Sequence, residues 1–164
     1  MARYRDMAST EDNQSDMDLW TVCDKGHVHW GRAGGAGVLF RHVPEQGEPT
    51  YLLQLRSKSV DYGGTWGIPG GAIRRGETPE MAAHREAEEE IGALPPYRIR
   101  GTEVQDCGGN WKFHIVTADV DQEFPAFCVR ETYATGWFTR EDMRNLALHP
   151  GLQNWLDQQD SGGR

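Results

Sequence analysis

Residues 70–93, GGAIRRGETPEMAAHREAEEEIGA, constrain this chain more than any other stretch, because both ends of a helix can be read in them. Thr78 is a good N-cap, Pro79 suits the first helical position, and Glu80 opposes the positive end of the helix dipole. Gly92 can take the left-handed conformation that ends a helix, and Pro95-Pro96 prevents its resuming. The expected helix spans residues 79–91.

At about 100° per residue, Glu86, Glu89 and Glu90 fall within an arc of about 100°, beside an apolar stripe of Ala83, Ala87, Ile91 and Leu94. Like charges one turn apart repel by a few tenths of a kcal/mol, and carboxylates at the edge of a core cost more unless a cation joins them. A hard divalent cation, magnesium or manganese, suits such oxygen ligands, and Arg85 adds to the neutralisation. Taken alone, EAEEE also reads as a solvated acidic face.

The wider spacing decides between these readings. Gly71, five residues, Glu77, seven residues, Arg85-Glu86, Ala87, one residue, Glu89-Glu90, one residue, Gly92 and Ala93 reproduce every fixed position of a known signature. This stretch resembles the signature of the Nudix (MutT-type) hydrolases, with Ala87 and Ala93 standing where that family more often has a larger aliphatic. The preceding Trp66-Gly-Ile-Pro-Gly-Gly71 is similar to the family's entry segment. The resemblance is close over residues 71–93 and looser, by order of elements, over residues 34–158.

That resemblance implies an α/β fold, an α/β/α sandwich with a mixed β-sheet, and magnesium-dependent hydrolysis of a nucleoside diphosphate linked to another moiety. Carried over by position, Glu86, Glu89 and Glu90 are metal ligands or the water-activating base, and the Gly70 carbonyl is a further ligand. Arg85 and Glu77 form the salt bridge that orients them. Glu131, six residues before Trp137, is a candidate fourth carboxylate. Trp66 and Trp111 are candidate base-stacking surfaces, weighed against simple packing.

The rest of the chain bounds these expectations. At 164 residues with a net charge of −8, it is long enough for one globular domain with a substantial core and ill suited to long nucleic acid, whose phosphates demand clustered Lys and Arg. A small anionic nucleotide remains compatible, because bound metal inverts the local field. No apolar run is long enough to span a bilayer and no secretory segment is evident, which predicts a cytoplasmic location and no membrane partner. A homodimer is left open. Residues 1–17 read as a flexible leader, 18–160 as the domain and 161–164 as a tail.

Cys23, Cys107 and Cys128 are odd in number and far apart, so neither a disulfide framework nor a zinc site is expected. His27 and His29 alternate around Val28 with no third ligand near in sequence, and are read as strand-edge histidines. Core strands are expected over 36–42 and 51–56, a hairpin over 97–106 and 111–120 turning at Cys107–Asn110, and late helices after Thr139 and from Pro150 to Gln158.

Substrate markers outside the signature are missing. Gly108 and Gly109 stand where an ADP-ribose type carries proline, Asn110 where a dinucleoside polyphosphate type carries tyrosine, and Ile68-Pro69 interrupts the coenzyme A pattern begun by Leu52-Leu-Gln-Leu-Arg-Ser57. Elimination favours a nucleoside triphosphate or modified nucleotide. Hydrolysis of ADP-ribose, a dinucleoside polyphosphate, a nucleotide sugar or coenzyme A is the alternative, and a non-catalytic nucleotide-sensing module a further one.

Overall fold

The computed structural model describes residues 19–129 and 132–162. The expected leader over residues 1–17, and Glu131, lie outside the described residues.

Among the described residues, nine strands and three helices follow one another as β1 (Trp20–Val22), β2 (Val28–Trp30), β3 (Gly35–His42), β4 (Thr50–Arg56), β5 (Trp66–Gly67), β6 (Gly70–Ala72), α1 (Pro79–Ile91), β7 (Arg98–Gly108), β8 (Trp111–Val120), β9 (Thr132–Phe138), α2 (Arg140–Arg144) and α3 (Pro150–Gly162). β1 and β2 form a separate antiparallel hairpin. The other seven strands make one mixed sheet in the order β5-β4-β3-β8-β7, with β6 on β3 and β9 on β4. Only the β3–β8 pairing in it is parallel.

Strand alternation sends residues to two faces, and each face is covered by helix. Ala36, Val38 and Phe40 of β3, with Val116, Ala118 and Val120 of β8, pack against Ala82, Ala83, Ala87 and Ile91 of α1. Leu39, Tyr51, Leu53 and Ile115 face the other way, onto Met143 of α2 and Leu152, Trp155 and Leu156 of α3. This is the expected α/β/α sandwich. Each buried Leu, Ile or Phe contributes about 1.5–3 kcal/mol over its exposed state, so the two layers together hold the helices onto the sheet.

The caps act as the sequence predicts. Thr78 Oγ1 accepts from the Met81 amide at 3.1 Å, and Gly92, at φ 86°, closes α1 with its amide on the Glu88 carbonyl. α2 opens on a reciprocal capping box between Thr139 and Asp142. α3 runs to Gly162, so the tail expected from residue 161 begins as helix.

One departure in the sheet builds the site. β3 and β4 pair only at Arg41↔Tyr51 and His42↔Thr50; beyond that they part, β6 continuing along β3 and β5 along β4. The opening between Gln54 on β4 and Gly70 on β6 faces the C-terminal half of α1.

A second departure concerns the cysteines. Cys23 and Cys107, 84 residues apart in sequence, have Cα atoms 5.6 Å apart and their sulfurs are in bonding contact, where the sequence predicted unrelated thiols. Chain folding closes a distance that spacing could not reveal. Cys128 is free and exposed.

Candidate active site

The carboxylates of α1 are organised by one guanidinium. Arg85 grips Glu77 with both arms, Nε to Oε1 at 2.6 Å and Nη2 to Oε2 at 3.0 Å. Its remaining donors reach Glu86 Oε1 at 2.7 Å and the Ala72 carbonyl at 2.9 Å, with Glu89 Oε2 3.6 Å away. The arrangement ties the loop before α1, the strand β6 and the helix face to a single planar group, which is what a forked cation does better than an ammonium. The hydrogen bond from Arg85 holds the Glu77 carboxyl below its ordinary range, and the Arg74 amide, donating at 2.8 Å, adds to this.

Glu90 sits differently. Its Oε2 accepts from Gln54 Nε2 at 2.7 Å and from the Gly70 amide at 3.2 Å, so it spans the opening between β4 and β6. Burial pushes its carboxyl up to about 7, and the nearby Glu86 pushes the same way against the pull of these hydrogen bonds. Gln54 is itself oriented by Thr132, whose hydroxyl donates to Gln54 Oε1 at 3.0 Å. Sequence reasoning missed Gln54 and Thr132. The available signal was a lone amide in the aliphatic strand Leu52-Leu-Gln-Leu55, with the same parity as core-facing Leu52.

Gly71 gives the Glu86 carboxylate its place. A Cβ there would lie 2.5 Å from the Glu86 carboxyl carbon and 2.6 Å from its Oε1, so glycine leaves the space in which Glu86 rests against β6.

Glu88 separates from its neighbours as the helical arc requires: its side chain is more than half exposed and its carboxylate lies 3.3 Å from His84 Nε2. Glu89 lies beside Arg85 and, at 3.9 Å, Arg74.

The two tryptophans go elsewhere. Trp66 packs with the layer opposite α1, edge-on to Phe138 at 5.0 Å. Trp111 is buried, donates through Nε1 to the Gly31 carbonyl at 2.9 Å, and has His29 stacked on it at 3.7 Å. The contacts of both are packing contacts, with Trp66 half-buried and Trp111 buried. The exposed aromatic near the end of α1 is Phe127, whose amide donates to the Ile91 carbonyl at 3.0 Å and whose ring lies against Gly92.

Glu86 and Glu90 lie near enough to repel one another, and their carboxylate oxygens are donors of the kind a hard dication takes.

Residues 31–159 match the NUDIX domain family. This chain belongs to the Nudix hydrolases. Over 88% of its length it is 39% identical to a Mycobacterium tuberculosis protein named "Putative 8-oxo-dGTP diphosphatase 3", of which the match covers 70%. A Bifidobacterium longum nucleoside triphosphate pyrophosphatase/Nudix hydrolase fusion protein is 39% identical over 62% of this chain and 21% of that one. Among solved structures, the M. smegmatis Nudix hydrolase RenU superposes with a TM-score of 0.80 at 34% identity, covering 88% of this chain and 93% of that one. A C. elegans Ap4A hydrolase shares the fold at a TM-score of 0.63 and 20% identity, over 77% of this chain and 96% of that one. As a Nudix hydrolase the protein is a pyrophosphohydrolase, and enzymes of this family need divalent metal ions. Among the described residues, no helix is long and apolar enough to cross a membrane.

Proposed function

We propose that this Nudix hydrolase cleaves the pyrophosphate linkage of a nucleoside triphosphate carrying a modified base, using magnesium held by Glu86, Glu89, Glu90 and the Gly70 carbonyl, with manganese as a substitute. The observation that carries the reading is Glu90 lying across the β4–β6 opening with Glu86 nearby against β6 and clamped by Arg85. Bound there, the cation would neutralise diphosphate oxygens and polarise the attacking water. Within the chain, one box glutamate takes the proton from that water, and Arg85 holds Glu77, Glu86 and the Ala72 backbone in register. Glu131 remains a proposed further metal ligand.

The substrate class rests on two supports. The sequence markers of the ADP-ribose, dinucleoside polyphosphate and coenzyme A types are absent, and the mycobacterial relative at 39% identity bears the name of an 8-oxo-dGTP diphosphatase. A non-catalytic sensor is not retained, since Glu77, Arg85, Glu86, Glu89 and Glu90 are all present and engaged.

The test is a magnesium-supplemented screen over canonical and oxidised nucleoside triphosphates, ADP-ribose, dinucleoside polyphosphates, nucleotide sugars and coenzyme A, with products identified by mass. The expected result is fastest turnover of an oxidised triphosphate to the monophosphate and pyrophosphate. Turnover confined to ADP-ribose or a dinucleotide would overturn the substrate assignment.

A further inference from the structure

Away from the glutamates, a second group of side chains comes together with a different chemistry. Cys23, His27, His29 and Cys107 each offer one ligand atom, and these four atoms lie within 4.8 Å of one another. Three come from the β1–β2 hairpin in the spacing Cys-x-x-x-His-x-His, and the fourth from the C-terminal end of β7. The Cys107 sulfur faces His29 Nε2 at 3.3 Å and His27 Nδ1 at 3.4 Å.

We infer that Cys23, His27, His29 and Cys107 form a structural zinc site that fastens the β1–β2 hairpin to the C-terminal end of β7. Two thiolates and two imidazoles are a donor set for zinc and a poor one for magnesium, so this site is chemically separate from the carboxylate mouth. In a tetrahedron with Zn–N of about 2.05 Å and Zn–S of about 2.3 Å, each N···S edge is about 3.6 Å, close to the two distances seen. A disulfide is the competing state of the Cys23–Cys107 pair. It accounts for the two sulfurs but not for two imidazole nitrogens aimed at one of them, because sulfur is a weak acceptor. With zinc bound, both thiols give their protons to solvent and both imidazoles coordinate through unprotonated nitrogens.

The surroundings suit a closed, structural site. Cys23 is buried, and its amide and carbonyl bond His27 and Gly26 to make the tight turn that returns the histidines to it. Trp111 lies flat against His29 and fixes its ring plane. The hairpin needs a fastening: it shares no strand pairing with the seven-stranded sheet, and Trp20, Val22, Val28 and Trp30 are exposed.

The experiment uses the full chain, purified with a phosphine reductant and no chelator. Metal analysis should find about one zinc per chain, and cobalt exchanged into the site should show the visible absorption of a tetrahedral thiolate complex. Cys128→Ser should keep the metal, whereas Cys107→Ser should lose it. His27→Ala, at an exposed position, should weaken zinc binding by about a hundredfold or more. A reduced, folded wild-type chain that takes up neither zinc nor cobalt would overturn the inference. So would unchanged zinc affinity in His27→Ala, which would show that the histidines are bystanders. Both readouts are independent of nucleotide hydrolysis.

Discussion

Replacing Glu90 by Gln tests the proposed metal mouth without nucleotide present. The substitution keeps shape and an acceptor for Gln54 Nε2 and the Gly70 amide, 2.7 and 3.2 Å away, while deleting the charge. Burial raises the Glu90 carboxyl from 4.5 to about 7, so the fold favours its protonated form. The resulting stability is fully present below about 4.5 and is lost as pH rises through about 7. At about 1.4 kcal/mol per pH unit, that gap amounts to roughly 3 kcal/mol. In chelator, wild type and Glu90→Gln should be nearly equal near pH 4.5, and the variant should be the more stable by up to roughly 3 kcal/mol at pH 8. Urea unfolding at a series of pH values measures this. Taking the difference cancels other titrating groups, His149 among them, which burial lowers to about 4. Magnesium should stabilise wild type more at pH 8 than at pH 5 and stabilise the variant weakly, since metal and proton compete for the same oxygens. A difference that stays flat from pH 4.5 to 8 would refute the claim that Glu90 is buried and uncompensated.

Three further outcomes follow from the same geometry. Glu88→Gln, on the exposed side of α1, should leave kcat within about twofold, whereas Glu86→Gln should lower it on the order of a hundredfold with the fold intact; equal losses in steady-state assays would show that helical position does not select the site. Gly71→Ala puts a Cβ 2.5 Å from the Glu86 carboxyl carbon, and should lower kcat by about tenfold or more through displacement of Glu86, visible as weaker magnesium binding in calorimetry. Trp111→Ala should cost about 3–5 kcal/mol in thermal or urea unfolding, a packing loss, in place of a selective rise in KM; a raised KM at unchanged Tm would restore the base-stacking role.

Local chemistry explains what the sequence by itself determined. The bounds of α1, its caps, the separation of Glu88 from Glu86 and Glu90, and the alternation in β3 and β8 all depend on neighbours within a few residues, where covalent geometry and periodicity dictate the outcome. The signature carried the family for the same reason, since its fixed gaps are those of one loop and one helix. What tertiary structure alone decided is every pairing across long separations. The parting of β3 from β4 brings Gln54, 36 residues from Glu90, onto its carboxylate. The docking of the β1–β2 hairpin beside β7 and β8 stacks His29 on Trp111. The same docking joins Cys23 and the two histidines to a cysteine 84 residues from Cys23, turning what read as scattered thiols and edge histidines into one cluster, because ligand geometry depends on distance in space and spacing along a chain reports it only within a single turn or hairpin.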